Sequence, residues 1–259
     1  MRELIICLLV VISVSICFVC SNRRICSEVV PATPGVTKIA CFIHVGALDI
    51  SITQPIYDKI IHRLKSAGLY HYLYTIRLGV VGKDWRKLQY SNKEEIVYHN
   101  DDPKVFEIPT VNALQSFCIE NPHVYVLYLH TKGATAKRCE NINYQEKWCE
   151  MMLHYCVDHF KTCLKLLNYY RTVGCEMHND HYSGNFWWAR GDYIATKKEC
   201  ATDNSGWGAP AEYWVMNPPL KSSHACLFTT GMNNEPPCKG LYGNNSNHEG
   251  KLHITINKS

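Results

Sequence analysis

The chain has 259 residues, long enough to bury a substantial core. A hydrophobic content of 46% with 19% charged residues excludes a disordered class. The formal net charge is only +4 and no long basic run occurs, so no nucleic-acid partner is expected.

Met1-Arg2-Glu3 precedes an apolar run from Leu4 to Cys20, followed by Asn22, Arg23 and Arg24. The run lies at the short end of what spans a bilayer and equally suits the core of a signal peptide. Residues 1–24 therefore read as a signal peptide or a signal-anchor. The arginines lie beyond the run and Glu3 offsets Arg2, so charge gives no orientation. Both readings send the rest of the chain into the secretory pathway: a luminal domain on an ER or Golgi membrane, or a secreted protein. The membrane is a partner only if the segment stays uncleaved. Of 14 cysteines, 11 follow Arg24, and an oxidising lumen predicts that some pair as disulfides. The alternative is buried free thiols acting as small hydrophobes. Asn244-Asn245-Ser246 and Asn257-Lys258-Ser259 match the acceptor pattern of a glycoprotein.

Residues 25–36, with Pro31, Pro34 and Gly35, read as a short stem before a domain over 37–216. Lys38–Gly46 is an apolar run of the buried-strand kind. Thr53 to Ala67 predicts a helix capped by Thr53 and ended by Gly68. Tyr72–Val81 and Glu95–His99 are strands rich in aromatic and β-branched residues. A second helix spans Thr110 to Glu120 after Pro109, and Val124–His130 is a fourth strand. Tyr144 to Asn168 reads as one long helix with a core-packing face. Thr172–Met177 and Asn185–Ala189 are short strands, and Pro210–Val215 is one or two helical turns. Residues 217–259 read as an irregular tail, held by Cys226 and Cys238. This alternation predicts an α/β fold, a mostly parallel sheet flanked by helices in one domain.

In such a sheet ligands bind beyond the carboxyl ends of the strands. That rule nominates three turns: His44 to Gly46, His99 to Asp102 and His130 to Gly133. Lys132 beside Thr131 at a strand end suits an anion such as a diphosphate; the alternative is a solvated turn. Trp187 and Trp188 face opposite sides of one strand. Either one packs in the core while the other forms a platform for a sugar, or both are core. His178 and His181 with Asp180 lack further ligands, and no metal site is assigned. Glu212, near the start of a short helix, suits a general base or a helix-start carboxylate favoured by the dipole.

Tyr128-Leu129-His130-Thr131-Lys132-Gly133, the Trp148 helix, His181-Tyr182-Ser183-Gly184-Asn185-Phe186-Trp187-Trp188-Ala189 and Ala211-Glu212-Tyr213-Trp214 follow in that order. Together they resemble a family of small glycosyltransferases related to the rhamnan-synthesis type and found in bacteria, large DNA viruses and eukaryotes. The similarity covers about Lys38 to Met216, and the Ser-Gly-Asn-Phe-Trp-Trp-Ala stretch is its most specific part. The resemblance implies a Rossmann-like, GT-A-type fold, a nucleotide-sugar donor as co-substrate and a glycan or glycoconjugate acceptor. His44, Gly46, Asp101, Asp102, His130, Thr131 and Lys132 would bind the donor. His181, Gly184, Asn185, Trp187 and Trp188 would line the sugar or acceptor. Glu212 would be the acceptor base, with Asp192 second. Where such enzymes carry Asp-x-Asp to hold manganese or magnesium, this chain has His130-Thr131-Lys132, so a divalent metal stays an open expectation. Two rival readings are a non-catalytic carbohydrate-binding protein on a transferase fold and a disulfide-framed cell-surface protein.

Overall fold

Apolar periodicity and observed strands agree along β1 (Lys38–Gly46), β2 (Leu73–Val81), β3 (Glu94–Asn100) and β4 (Val124–His130). Short strands β5 (Thr172–Gly174), β6 (Trp187–Arg190) and β7 (His224–Cys226) complete one sheet in the order β3-β2-β1-β4-β6-β5-β7. Only β6 runs against its neighbours. The computed structural model describes residues 38–134, 142–178, 180–201, 209–218 and 223–228. All lie within one compact unit, Ala32–Ser259, so the fold is a single α/β domain. The leader, the stem, Cys139, Cys238 and both glycan-acceptor asparagines lie outside the described residues.

Every residue of β4 is buried, as a central strand covered on both faces requires. Alternate side chains feed two cores. Ile39, Cys41, Ile43 and Val45 of β1 pack beneath α1 (Ile50–Ser66), α3 (Ile142–Leu153) and α4 (Phe160–Leu167). Ala40 and Phe42 pack beneath α2 (Ile108–Glu120), α5 (Gly191–Ala195) and α6 (Ala209–Trp214). Outside the first core, Arg63 Nε donates to Asp158 Oδ1 at 2.7 Å and Lys59 pairs with Glu150 at 2.6 Å, tying α1 to α3 and the turn after it.

Several boundaries differ from expectation for local reasons. Helix α1 begins at Ile50, because Asp49 is the cap and accepts from Ser51 N at 3.0 Å. Thr53 instead donates its hydroxyl to Gly46 O at 2.6 Å, binding the helix start to the strand end. The expected long helix is broken by a π-helical turn, His154–Asp158. The wide turn leaves carbonyls without helical partners, and Cys156 O accepts from Trp188 Nε1 at 2.7 Å. Strand β5 stops at Gly174, and Met177 makes only an isolated bridge to Tyr182. Part of the expected irregular tail is the strand β7, paired in parallel with β5.

Trp187 and Trp188 are both completely buried, one in each core. The core reading of the pair therefore holds, and neither ring is a sugar platform. The expected disulfides are absent among the described residues, where eight cysteines are free and buried, Cys226 among them. Cys156 and Cys175 share a thiol hydrogen bond without being bonded covalently. No helix among the described residues is long and apolar enough to cross a membrane.

Two buried histidines make folding sensitive to acid. His224 of β7 places Nδ1 2.7 Å from Thr172 Oγ1, while its Nε2 has no partner. Burial, then repulsion from Lys197 and Arg171, pushes it from 6.5 down to about 4. His44 is lowered to about 4, chiefly by burial. Between about 6.5 and 4 the unfolded chain takes up protons that the folded chain refuses, so stability falls as pH falls through that window. Each histidine contributes up to about 3 kcal/mol of stability that is lost across the whole window. Urea unfolding midpoints should drop steadily from pH 6.5 to 4, and His224→Gln should flatten the curve; an unchanged slope would refute the assignment.

Candidate functional site

The chain order reverses between β1 and β4, since β2 and β3 continue on one side of β1 and β4 lies on the other. Crevices at such points are where open α/β sheets bind ligands. A cavity of about 550 Å³ opens there, within the range that holds a small-molecule ligand. His44 and Gly46 of β1 and Leu48 just after it line it, with Val81 of β2, His130 of β4 and the turn Thr131, Lys132 and Gly133 that follows. Pro103, Lys104, Phe106 and Glu107 close one side before α2. Gln145 and Trp148 of α3 and Glu212 of α6 close the other. Lys132 and Glu212, distant in sequence, thus face one cleft.

Hydrogen bonds fix the floor. Thr131 Oγ1 accepts from Gly46 N at 3.0 Å, locking the ends of β1 and β4 together. His44 Nδ1 meets Thr110 Oγ1 at 2.9 Å. This approach of α2 to the sheet depends on Gly79, where a Cβ would lie 2.0 Å from Thr110 Oγ1. His130 Nε2 lies 2.8 Å from Gly184 O, and a carbonyl only accepts, so Nε2 carries the proton. His130 Nδ1 faces Glu107 Oε1 at 3.4 Å. The other oxygen, Glu107 Oε2, accepts from Tyr128 Oη and Asn185 Nδ2, both at 2.7 Å.

The electrostatics follow from this packing. Burial alone would raise the Glu107 pKa. His130, His44, the Tyr128 hydroxyl and Lys132 outweigh it and hold the carboxyl below its ordinary value. Burial pulls His130 down, against the attraction of Glu107. The carboxylate is therefore the charged centre of the floor. Lys132 Nζ lies 4.2 Å from the centre of the Trp148 ring, within cation–π range. Glu212 Oε1 accepts one long bond, 3.3 Å, from Gly184 N.

Other expected site residues fall behind or away from the cleft. Gly184 and Asn185 form its rear wall through their bonds to His130, Glu212 and Glu107. Trp187 Nε1 donates to Asn185 Oδ1 at 2.7 Å, so it holds that wall from the core instead of lining a sugar. Trp188 is on the opposite face of the sheet. Asp101 accepts from Trp85 Nε1 at 2.9 Å and Asp102 caps the turn at Lys104, both exposed and outside the lining. His181 stacks on His178 and bonds Asp180 at 2.9 Å, also outside it. Asp192, the second candidate for the base, also falls outside the lining: it holds Arg190, whose strand partner Tyr125 lies five residues before His130 in β4. No group of three metal-ligating side chains occurs among the described residues.

Sequence reasoning missed Glu107, Lys104, Phe106, Gln145 and Trp148 as lining residues. Glu107 before Ile108-Pro109 reads as an ordinary helix-start carboxylate. Trp148 sits on a helix face that reads as core. Phe106 at φ 48° and Asn185 at φ 58° are two of the three non-glycine residues with positive φ among the described residues; Phe106 adjoins Glu107 in the chain and Asn185 bonds it in space. Such backbone persists where its surroundings over-determine it.

Fold and cleft together define an α/β domain with a ligand-sized cavity at the switch point of its sheet. The chain belongs to the family described as a domain of unknown function, DUF8361, whose model matches residues 66–199, just over half of the chain. That stretch carries Glu107, His130, Lys132, Trp148, Gly184 and Asn185. No curated protein and no solved structure matches the chain.

Gly184 at φ +81° tests the rear wall. A Cβ there would lie 2.3 Å from Met152 Sδ and 3.0 Å from Trp148 Cε2. Gly184→Ala should cost more than about 1 kcal/mol of stability through strain alone. It should also loosen the bond to His130, read as a lowered unfolding midpoint and altered histidine NMR signals. A variant of unchanged stability would show that the wall does not depend on this turn.

Proposed function

We propose that the chain is a glycosyltransferase of the GT-A type, moving a sugar from a nucleotide-sugar donor onto a hydroxyl of a glycan or glycoconjugate. The observation that carries this reading is the cleft itself: Lys132 and Glu212 line one ligand-sized cavity at the carboxyl ends of parallel strands. Glycosyl transfer needs both signs of charge in one site. The leaving diphosphate gains negative charge, and a cation must stabilise it. Lys132 supplies that charge, with Lys104 across the cleft. His130 Nε2 donates to Gly184 O and Nδ1 faces Glu107, so His130 belongs to the floor and not to the diphosphate. The attacking hydroxyl loses a proton, and among the described residues Glu107 and Glu212 are the carboxylates that line the cavity. Trp148 offers the aromatic face that Trp187 and Trp188 do not. The reading places the domain in the secretory pathway, luminal or secreted, behind residues 1–24.

A panel of nucleotide sugars, with and without chelator, tests the proposal and the need for manganese or magnesium together. At least one donor should raise the unfolding midpoint, as a ligand of the native state must. Lys132→Ala should then lower transfer by about 100-fold. Binding without turnover would favour a non-catalytic carbohydrate-binding protein. No midpoint shift with any donor would remove the transferase reading.

A further inference from the structure

Resting on the transferase reading, we infer that Glu107, not Glu212, takes the proton from the acceptor hydroxyl, and that His130 is the positioning residue that shares it. Glu107 is oriented as a base must be. Its Oε2 is saturated by Tyr128 and Asn185, each at 2.7 Å, so the carboxyl plane cannot turn. Its Oε1 faces His130 Nδ1 at 3.4 Å, and the side chain keeps 22% of its surface open at the cavity. The His130 ring is held from behind through Nε2 and Gly184 O, which leaves the Nδ1 lone pair directed at the same carboxylate oxygen. An anionic oxygen and a lone pair this close have room for one more proton, and that proton lowers the repulsion between them.

The step balances as follows. The acceptor O–H bond breaks while the acceptor oxygen bonds the anomeric carbon. The bond from that carbon to the diphosphate oxygen breaks, and its electron pair leaves on the diphosphate toward Lys132. The proton goes to Glu107 Oε1, where His130 Nδ1 shares it. The groups facing the pair are His44 from β1, Tyr128 from β4, Lys132 beyond β4 and Glu212 from α6. The Tyr128 hydroxyl and Lys132 favour the ionised carboxylate at rest, the form that accepts a proton. Glu212 has one bond of 3.3 Å and sits on a helix of six residues, so it is held less firmly and serves substrate hydroxyls as a hydrogen-bond acceptor.

Glu107→Gln is the test. Its carbonyl oxygen can still accept from Tyr128 and Asn185, and its amide can donate to His130 Nδ1, so the fold is retained. In the full chain, with the donor that the wild type turns over, kcat should fall at least 100-fold with donor KM within about threefold. Glu212→Gln should act mainly on acceptor KM. Histidine NMR gives a readout free of turnover: His130 should titrate lower in Glu107→Gln, because the neighbouring anion is gone. Activity of Glu107→Gln within tenfold of wild type, or a larger kcat loss in Glu212→Gln, would overturn the assignment while leaving the transferase reading standing. An unchanged His130 titration would overturn the sharing. A wild type with no transfer and no donor hydrolysis would refute the reading and this inference with it.

Discussion

The partly buried, hydrogen-bonded carboxylate of Glu107 is the constraint on which the cleft depends. One side chain gathers a hydroxyl from β4, an amide from the loop before β6 and an imidazole from the end of β4. A carboxylate drawn partly out of water is costly unless its oxygens are hydrogen-bonded. Each partner is therefore locked into place by the cost of leaving. The positive-φ backbone at Phe106 and Asn185 lies on either side of this carboxylate, which marks where the chain bends to serve it.

Behind the cleft, the sheet supplies stiffness. Alternate residues of β1 and β4 belong to separate cores, so neither strand can shift by one residue without exposing its apolar set. Trp188 hooks the π-helical turn through Cys156 O, while Trp187 hooks Asn185. The two adjacent rings thus couple both helical layers to one short antiparallel strand. That coupling sets the distance between the β4 end, which carries Lys132, and the turn that holds Glu212.

The buried thiols belong to the same logic. Cys149, Cys156, Cys163 and Cys175 fill the core beneath α3 and α4 as small apolar groups. Burial pushes Cys163 far above the ordinary thiol range and drives Cys41 the same way, so these sulfurs are poor nucleophiles. Composition counts cysteines but does not place them, which is why a disulfide framework and a thiol-packed core look alike in sequence.

Local pattern determined the elements. The continuous apolar runs of β1 and β4 and the stripe of α1 are properties of neighbouring residues, and they fixed the α/β class, the strand ends and the turns where a ligand would bind. His44, Gly46, His130, Thr131 and Lys132 were legible because a strand end is a local event. The interruption after Leu153, the burial of both tryptophans and the role of Glu107 were not, because each is decided by partners far along the chain. Asp192 and Glu212 both stand in the first turn of short helices. Only the antiparallel pairing of β6 with β4 carried one toward the opposite end of the β4 strand, and the packing of α6 brought the other to the cleft. Which polar groups converge on a ligand is set by strand order and direction, and those are long-range properties that no stretch of local sequence contains.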